Sequence, residues 1–373
     1  METGLTEEQA SLGDAIDTLL DREWVAPQDV ASVPAARRER VWERLVEFGV
    51  LGDGLGAVEL CLVARSLGRH LASVPFLGSA AVRLALAGLP SVAASPSAGL
   101  AGLLSGEESV ALGVLEPGGG WALEGPFDTR LSRGELHGDK VAVEHVQAGA
   151  RLAVVATLDA EPVLAITTAD VASRPQSSFD ETVPISAVSF RGTPVADVLT
   201  GPDAAYVLRR LMTVGALLAA AEACGAAAGI LELARRYARD RRQFGHAIGS
   251  FQAVRHILAD GYVRQASAWS AVLHAAAAFD TGDGDADHVA SIAKAYTSRG
   301  AREVAHGAMQ VFGGIAFTAE HPAHRFLRRI VVRERQFGDA AHHERLLGRS
   351  LAGRARRIAP DGAPAGLAEA GVR

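Results

Sequence analysis

Tyr237-Ala-Arg-Asp-Arg-Arg-Gln-Phe-Gly-His-Ala-Ile-Gly-Ser-Phe-Gln-Ala-Val-Arg-His-Ile-Leu-Ala-Asp260 is the stretch on which the fold turns. A long apolar helical pattern runs into it. Another leaves it, with Phe251, Val254, Leu258 and Tyr262 at helical spacing. Between them stand Arg239, Arg241 and Arg242, a turn from Gly245 to Gly249, and Ser250 as the expected cap of the next helix. Helix, basic turn and helix start form a grip for a phosphate-bearing ligand. The same arginines also suit a solvated helix end, where the dipole favours cations. Local chemistry leaves both readings open.

Working outward, the pattern gives an α+β chain that is mostly α. Pro202 and Asp203 open a helix to about Arg242. A second is expected from Ser250 to about Phe279, and a third from Asp285 or Asp287 to about Phe312. Two shorter helices follow, so residues 202–357 read as a C-terminal four-helix bundle. Residues 110–201 change to a strand-like period. Val110–Leu115, Gly134–His137, Lys140–Val143, Leu152–Val155 and Pro162–Ile166 are short β-type runs suited to a small middle β-barrel domain. Residues 1–109 form an N-terminal helical domain, with helices from Thr6, over Ala35–Phe48 and over Ala57–Leu71. The Pro-, Gly- and Ala-rich tail, 358–373, is expected to be disordered.

The chain has 373 residues, 49% of them apolar, which suffices for sizeable cores. A net charge of −6 gives no reason to expect nucleic acid or an anionic membrane as partner. Cys61 and Cys224 sit in apolar helical patterns and read as buried free thiols. The acidic N-terminus lacks a secretory pattern. Val214–Leu231 is long and apolar, but it is rich in Ala and Gly and carries Glu222, so a bundle helix is expected rather than a membrane span. A cytoplasmic protein is expected.

Most local motifs lead to no chemistry. Asp283-Gly-Asp-Ala-Asp287 alternates carboxylates, but His288 and Lys294 stand where a calcium loop needs Gly and Glu. Gly52-Asp-Gly-Leu-Gly56 has the wrong spacing for a dinucleotide fingerprint. His321, His324, His342 and His343 read as surface or interface histidines, with no metal site. Gln310-Val-Phe-Gly-Gly-Ile-Ala-Phe-Thr-Ala-Glu320 ends a helix with two glycines that admit a close backbone or ligand.

Two segments taken together carry a resemblance. Arg241-x-Gln-Phe-Gly245, Ile248, Phe251, Gln252 and Leu258-Ala-Asp260, then Gln310-x-x-Gly-Gly314 with Glu320 and Arg325, resemble the acyl-CoA dehydrogenase family. The order helical, β, helical is similar too. The resemblance is specific over 203–350 and looser over 1–200. It implies FAD-dependent α,β-desaturation of an acyl-CoA thioester: a carboxylate removes the α-proton as the β-hydrogen leaves as hydride to the flavin. It also implies a tetramer in which one subunit reaches the flavin of its neighbour. Arg241 would then bind the FAD pyrophosphate across the interface, Phe244 would pack beside the cofactor, and Gln310 and Gly314 would meet its adenine side.

The departures are equally specific. The family's catalytic Glu precedes a Gly, and here that place reads Arg335-Gln-Phe-Gly-Asp339, with Phe337 at the base position. The alternative base position of some members falls on Gly215. Glu222 lies about 10 Å further along that helix. Glu334 and Asp339 are the nearest replacements in sequence. The β segment keeps Glu116-Pro117 but continues Gly-Gly-Gly-Trp121, and Lys140-Val-Ala-Val-Glu144 lacks the Trp and hydroxyl the family places beside the flavin.

Groups for a flavin in cis are missing, while those for a neighbour's flavin are kept. The chain therefore resembles the non-catalytic subunit of actinobacterial heteromeric (α2β2) acyl-CoA dehydrogenases, some of which act on steroid thioesters. A homologous partner would supply the base and most of the acyl-CoA pocket, the FAD would be shared at the subunit interface, and electrons would pass to a separate acceptor. Two other expectations stand beside it: a self-sufficient flavoenzyme with a relocated base or oxygen chemistry, and a flavin-free structural protein.

Overall fold

The computed structural model describes residues 4–121, 123, 125–147, 151–168 and 171–358. The expected disorder of the tail falls on residues outside this set, apart from Ile358. The first layer is helical: α1 (Glu7–Glu23), α2 (Ala35–Glu47), α3 (Ala57–Arg69), α4 (Phe76–Ala87) and the short α5 (Pro90–Ala94) and α6 (Ala98–Leu104). Thr6 and Gln9 close a reciprocal capping box on α1. α3 is capped from afar: Asp280 accepts from the backbone N–H groups of Ala57 and Val58 at 2.6 and 3.0 Å. α4 to α6 lie beyond the three helices expected in this part of the chain. α4 is buried nearly all round, so no polar face marks its period.

The strands are β1 (Val110–Gly113), β2 (Arg130–Ser132), β3 (Glu135–Glu144), β4 (Arg151–Leu158), β5 (Glu161–Thr168), β6 (Ala172–Gln176) and β7 (Ile185–Leu199). β4 pairs β5, β5 pairs β7, β7 pairs β3, β3 pairs β2 and β2 returns to β4, closing a small barrel with β1 and β6 alongside. Leu136, Leu152, Val154, Val188 and Phe190 fill it. Asp159 and Ala160, both at positive φ, make the tight turn between β4 and β5. The runs 134–137 and 140–143 belong to one strand, β3, with register shifts between them.

The bundle comprises α7 (Gly201–Asp240), α8 (Gln252–Asp280), α9 (Ala286–Phe312), α10 (Ala323–Arg335) and α11 (Ala340–Ile358), with a two-residue hairpin, β8 (Arg242–Gln243) and β9 (His246–Ala247), after α7. α8 is not capped by Ser250. Its N-cap is Phe251, and the Ser250 hydroxyl instead donates to the Ala247 carbonyl within a 3₁₀ turn. The apolar window of α7 is 89% buried inside the protein, as the central rod of a bundle would be. Small residues let α3 lie directly on it. A β-carbon at Gly225 would stand 1.9 Å from the Arg65 carbonyl oxygen, and one at Gly68 2.0 Å from that of Glu222.

Candidate functional site

α8 runs back along α7, and α9 returns beside both. The C-termini of α7 and α9 and the N-terminus of α8 therefore meet at one end of the bundle. Tyr237 packs edge-on against Phe312, centroids 5.4 Å apart, and ties the two C-termini together. This brings Arg241 and Phe244 to the same end as Gln310 and Gly314, although some 70 positions separate them in sequence.

All four are exposed. Arg241 is the C-cap of α7; its backbone bonds to Tyr237 and Ile248, and its guanidinium has no partner among the described residues. Phe244 has φ 52° and leaves 89% of its surface in solvent, touching Phe251 edge-on at 6.3 Å. Gly313 ends α9 at φ 69°, and a β-carbon on Gly314 would meet nothing within 4 Å. Ile315 and Phe317 extend the exposed apolar surface. A bulky left-handed Phe with its ring in water is costly in an isolated chain. Here it stands at the same end of the bundle as Arg241 and Gly314.

The second locus lies deep between barrel and bundle. Gln336-Phe337-Gly338 repeats the sequence and the left-handed turn of Gln243-Phe244-Gly245, with Phe337 at φ 54° and Gly338 at 93°. This copy is buried. Phe337 is 1% exposed, and its ring lies 4.5 Å from that of Trp121. A β-carbon at Gly215 would come within 2.2 Å of Phe337 Cε1. The two positions at which a base was expected are thus in contact, and neither carries a proton acceptor.

The other carboxylates are occupied. Glu222, 4% exposed, accepts from Arg329 at 2.7 Å and lies 2.9 Å from Arg333 Nε, close enough for an ion pair but out of line for a hydrogen bond. Asp339 caps α11, accepting from the His342 N–H at 2.8 Å. Glu334 pairs with Arg302 at 3.2 Å.

Arg329 also reaches Asp180 (2.5 Å), Thr182 (2.6 Å) and the Ala72 carbonyl (3.1 Å), and Arg333 reaches Glu144 (2.5 Å). Gln336 donates to the same Glu144 oxygen at 2.6 Å. Burial works against the charges on Glu144 and Asp180, yet their arginines hold both carboxyls below the ordinary range. Burial opposes the charge on Arg329 and Arg333 as well, and the carboxylates nevertheless raise both. This cluster nails α10 to the barrel and to α7 at once.

Glu144 ends β3, the strand expected from the resemblance to lie beside a flavin ring. Between Ala142, Glu144, Trp121 and Phe337 the remaining space is about 30 Å³. That admits about one water, whereas a ligand pocket is on the order of 300 Å³ or more. The residues at this place do not fit a flavin in cis.

Other expectations changed with packing. His343 is not a surface residue. It is 4% exposed, donates from Nε2 to the Phe337 carbonyl at 2.9 Å, and meets Ser291 at 3.2 Å through Nδ1. Lys294, 1% exposed, donates to the carbonyls of Arg333 (2.5 Å) and Glu334 (3.0 Å) and so caps α10. Lys140 is fully buried against Glu116 at 2.8 Å. Among the described residues no group of three or more His, Cys, Asp and Glu side chains is placed to hold a metal ion. Cys61 and Cys224 are buried free thiols.

Residues 205–352 match the sequence profile of the acyl-CoA dehydrogenase C-terminal domain. Acyl-CoA dehydrogenase FadE27 of Mycobacterium tuberculosis is 28% identical over 395 residues, spanning 94% of this chain and 99% of that one. The ChsE4–ChsE5 complex from Mycobacterium tuberculosis has a chain of similar structure, with a TM-score of 0.81 at 27% identity over 94% of this chain and 99% of that one. A variant of the Tcur3481–Tcur3483 steroid ACAD gives 0.81 at 25% identity, over the same shares of the two chains. Over nearly its whole length the chain is thus similar to acyl-CoA dehydrogenases, and its residues 205–352 match that family's C-terminal domain.

Proposed function

We propose that this chain is the non-catalytic subunit of a heteromeric FAD-dependent acyl-CoA dehydrogenase, assembled α2β2 with a homologous partner that holds the catalytic Glu. The observation that carries the reading is the Phe337–Gly215 contact, which leaves both base positions without a carboxylate. The filled space beside Glu144 adds to it. The similar ChsE4–ChsE5 and Tcur3481–Tcur3483 structures, each with two named components, the first a complex and the second a steroid ACAD, favour a paired assembly and a steroid or other lipid thioester.

Arg241 pairs with the pyrophosphate of the partner's FAD, a charge-assisted contact for which its free guanidinium is available. Phe244 covers the cofactor, and its exposed ring becomes buried on assembly. Gln310 supplies a donor and an acceptor to the adenine side, and Gly314 gives the backbone room to approach. The bound flavin supplies hydride acceptance; this chain's residues hold its non-reacting half and exclude water from it.

Expression alone against co-expression with a homologous dehydrogenase subunit tests this. Flavin absorbance is expected only in the co-purified complex. One flavin per chain in the lone protein would overturn the reading. A self-sufficient enzyme with a relocated base is disfavoured, because Glu334 and Asp339 are engaged elsewhere.

A further inference from the structure

Two buried basic side chains hold down the connection from α10 to α11. Lys294 of α9 donates to two carbonyls in the last turn of α10, those of Arg333 at 2.5 Å and Glu334 at 3.0 Å. His343 of α11 donates from Nε2 to the Phe337 carbonyl at 2.9 Å, and the Ser291 hydroxyl of α9 lies 3.2 Å from its Nδ1. Between these two anchors Phe337 and Gly338 turn at φ 54° and 93°. α11 lies tight against the turn: a β-carbon at Gly338 would stand 2.5 Å from His342 Cδ2 and 3.0 Å from His343 Nε2.

The number of protons decides how well these anchors fit. Two carbonyls use two hydrogens, which a neutral amine supplies. The third hydrogen of an ammonium at Lys294 has no acceptor among the described residues, and no carboxylate pairs with it there. Glu334 pairs with Arg302 instead, and Asp339 caps α11. At longer range Glu334 and Asp339 favour the charge on Lys294 and Arg333 opposes it. Neutral His343 is satisfied at both nitrogens, since the Ser291 hydroxyl can donate to Nδ1. A second proton would set a cation beside Lys294 and His342, with Asp339 offsetting part of the repulsion. Burial accordingly lowers Lys294 from 10.5 to about 7 and His343 from 6.5 to about 4.

We propose that Lys294 and His343 form a proton-sensitive latch on the α10–α11 connection, each added proton favouring an open form in which Phe337 leaves Gly215 and Trp121 while the rest of the fold stays closed. Opening puts the amine in water. From pH 10.5 down to about 7 the open form binds a proton at Lys294 that the closed form does not, so the opening constant rises about tenfold per unit of acidification. Below 7 that contribution levels off, and His343 adds its own from 6.5 towards 4. Neither a flavin nor a partner subunit enters the inference, so it stands or falls apart from the proposed function.

Hydrogen exchange of the purified full-length chain, read by mass spectrometry and corrected for the intrinsic pH dependence of amide exchange, tests it. Peptides covering 336–343 are expected to gain protection about tenfold per unit between pH 7.5 and 9.5, while peptides of α7 keep theirs. Lys294→Met keeps an apolar stem without a titrating group and is expected to remove that slope. Carbon-13 NMR of the lysine-labelled chain needs no variant to fold. The chain has only two lysines, Lys140 and Lys294, and a signal titrating near 7 is expected. The proposal is overturned if protection at 336–343 does not change with pH, if α7 changes in step with it, if a folded Lys294→Met protein keeps the slope, or if both lysines titrate above about 9.

Discussion

The ring of Phe337 lies on the backbone of Gly215, so close that a β-carbon there would stand 2.2 Å from Cε1. Each residue explains the other: the ring needs the missing side chain, and the glycine in mid-helix needs a reason to be there. Restoring a carboxylate is therefore not a matter of one substitution. Phe337→Glu would place a charge against Trp121 in a space of about 30 Å³. The expected result is a loss of about 3 kcal/mol or more in urea unfolding and no acyl-CoA oxidation by the purified variant. Turnover by that variant alone would show that the reacting groups are all on this chain.

Much of this was legible in the sequence, and the rest was hidden for physical reasons. The long bundle helices show because their buried and exposed faces alternate at a helical period. α4 was missed because it is apolar on all sides. β7, the longest strand, was missed because its burial pattern has no clean alternation, and β6 because its side chains are mostly exposed. The bundle-end residues could be found because they form a spaced motif. The Arg329–Arg333 cluster could not. Its members come from β3, the segment before β7, α7 and α10, and only folding puts Glu144, Asp180 and Glu222 around two arginines. The repeat of Arg-Gln-Phe-Gly at 242–245 and 335–338 was in plain view and would have pointed to a second left-handed turn.

Arg241 offers the sharpest test of the shared cofactor. Its side chain is exposed and its guanidinium has no partner among the described residues, so Arg241→Ala is expected to leave thermal unfolding of the chain unchanged. In the co-purified complex the same substitution is expected to weaken FAD retention by about 1.5–3 kcal/mol, the range for a charge-assisted bond. Arg241→Lys recovers only part of this, because an ammonium cannot match the bidentate geometry. Flavin content after gel filtration reads all three. An unchanged flavin content in the Ala variant would favour a purely structural subunit.

The buried charge cluster is expected to behave unlike the surface pairs. Arg329→Ala leaves buried Asp180 without its arginine and takes one of two from Glu222, and should cost about 3–5 kcal/mol. Arg235, paired with Glu232 in solvent, is the control, and its replacement should leave the urea midpoint where it was. If the Arg329 variant unfolds at the wild-type midpoint, the cluster does not hold α10 against the barrel.

Two buried histidines give the chain an acid limb with a definite sign. Burial lowers both His145 and His343 from 6.5 to about 4. Between pH 4 and 6.5 the unfolded chain binds protons at these sites and the folded chain does not, so stability rises with pH across that window and is lost on acidification. A shift of this size corresponds to at most about 3 kcal/mol per histidine. The carboxyls of Glu144 and Asp180, held below their ordinary range, add their losses only at the lower end. His343→Gln can keep a neutral donor to the Phe337 carbonyl but has nothing to titrate, so it should flatten part of the limb. Urea unfolding at half-unit steps from pH 4 to 7 measures this. A His343→Gln protein whose stability falls as steeply as the wild type would mean that His343 is protonated in the folded chain, and with it that the connection carrying Phe337 is more open to water than its burial implies.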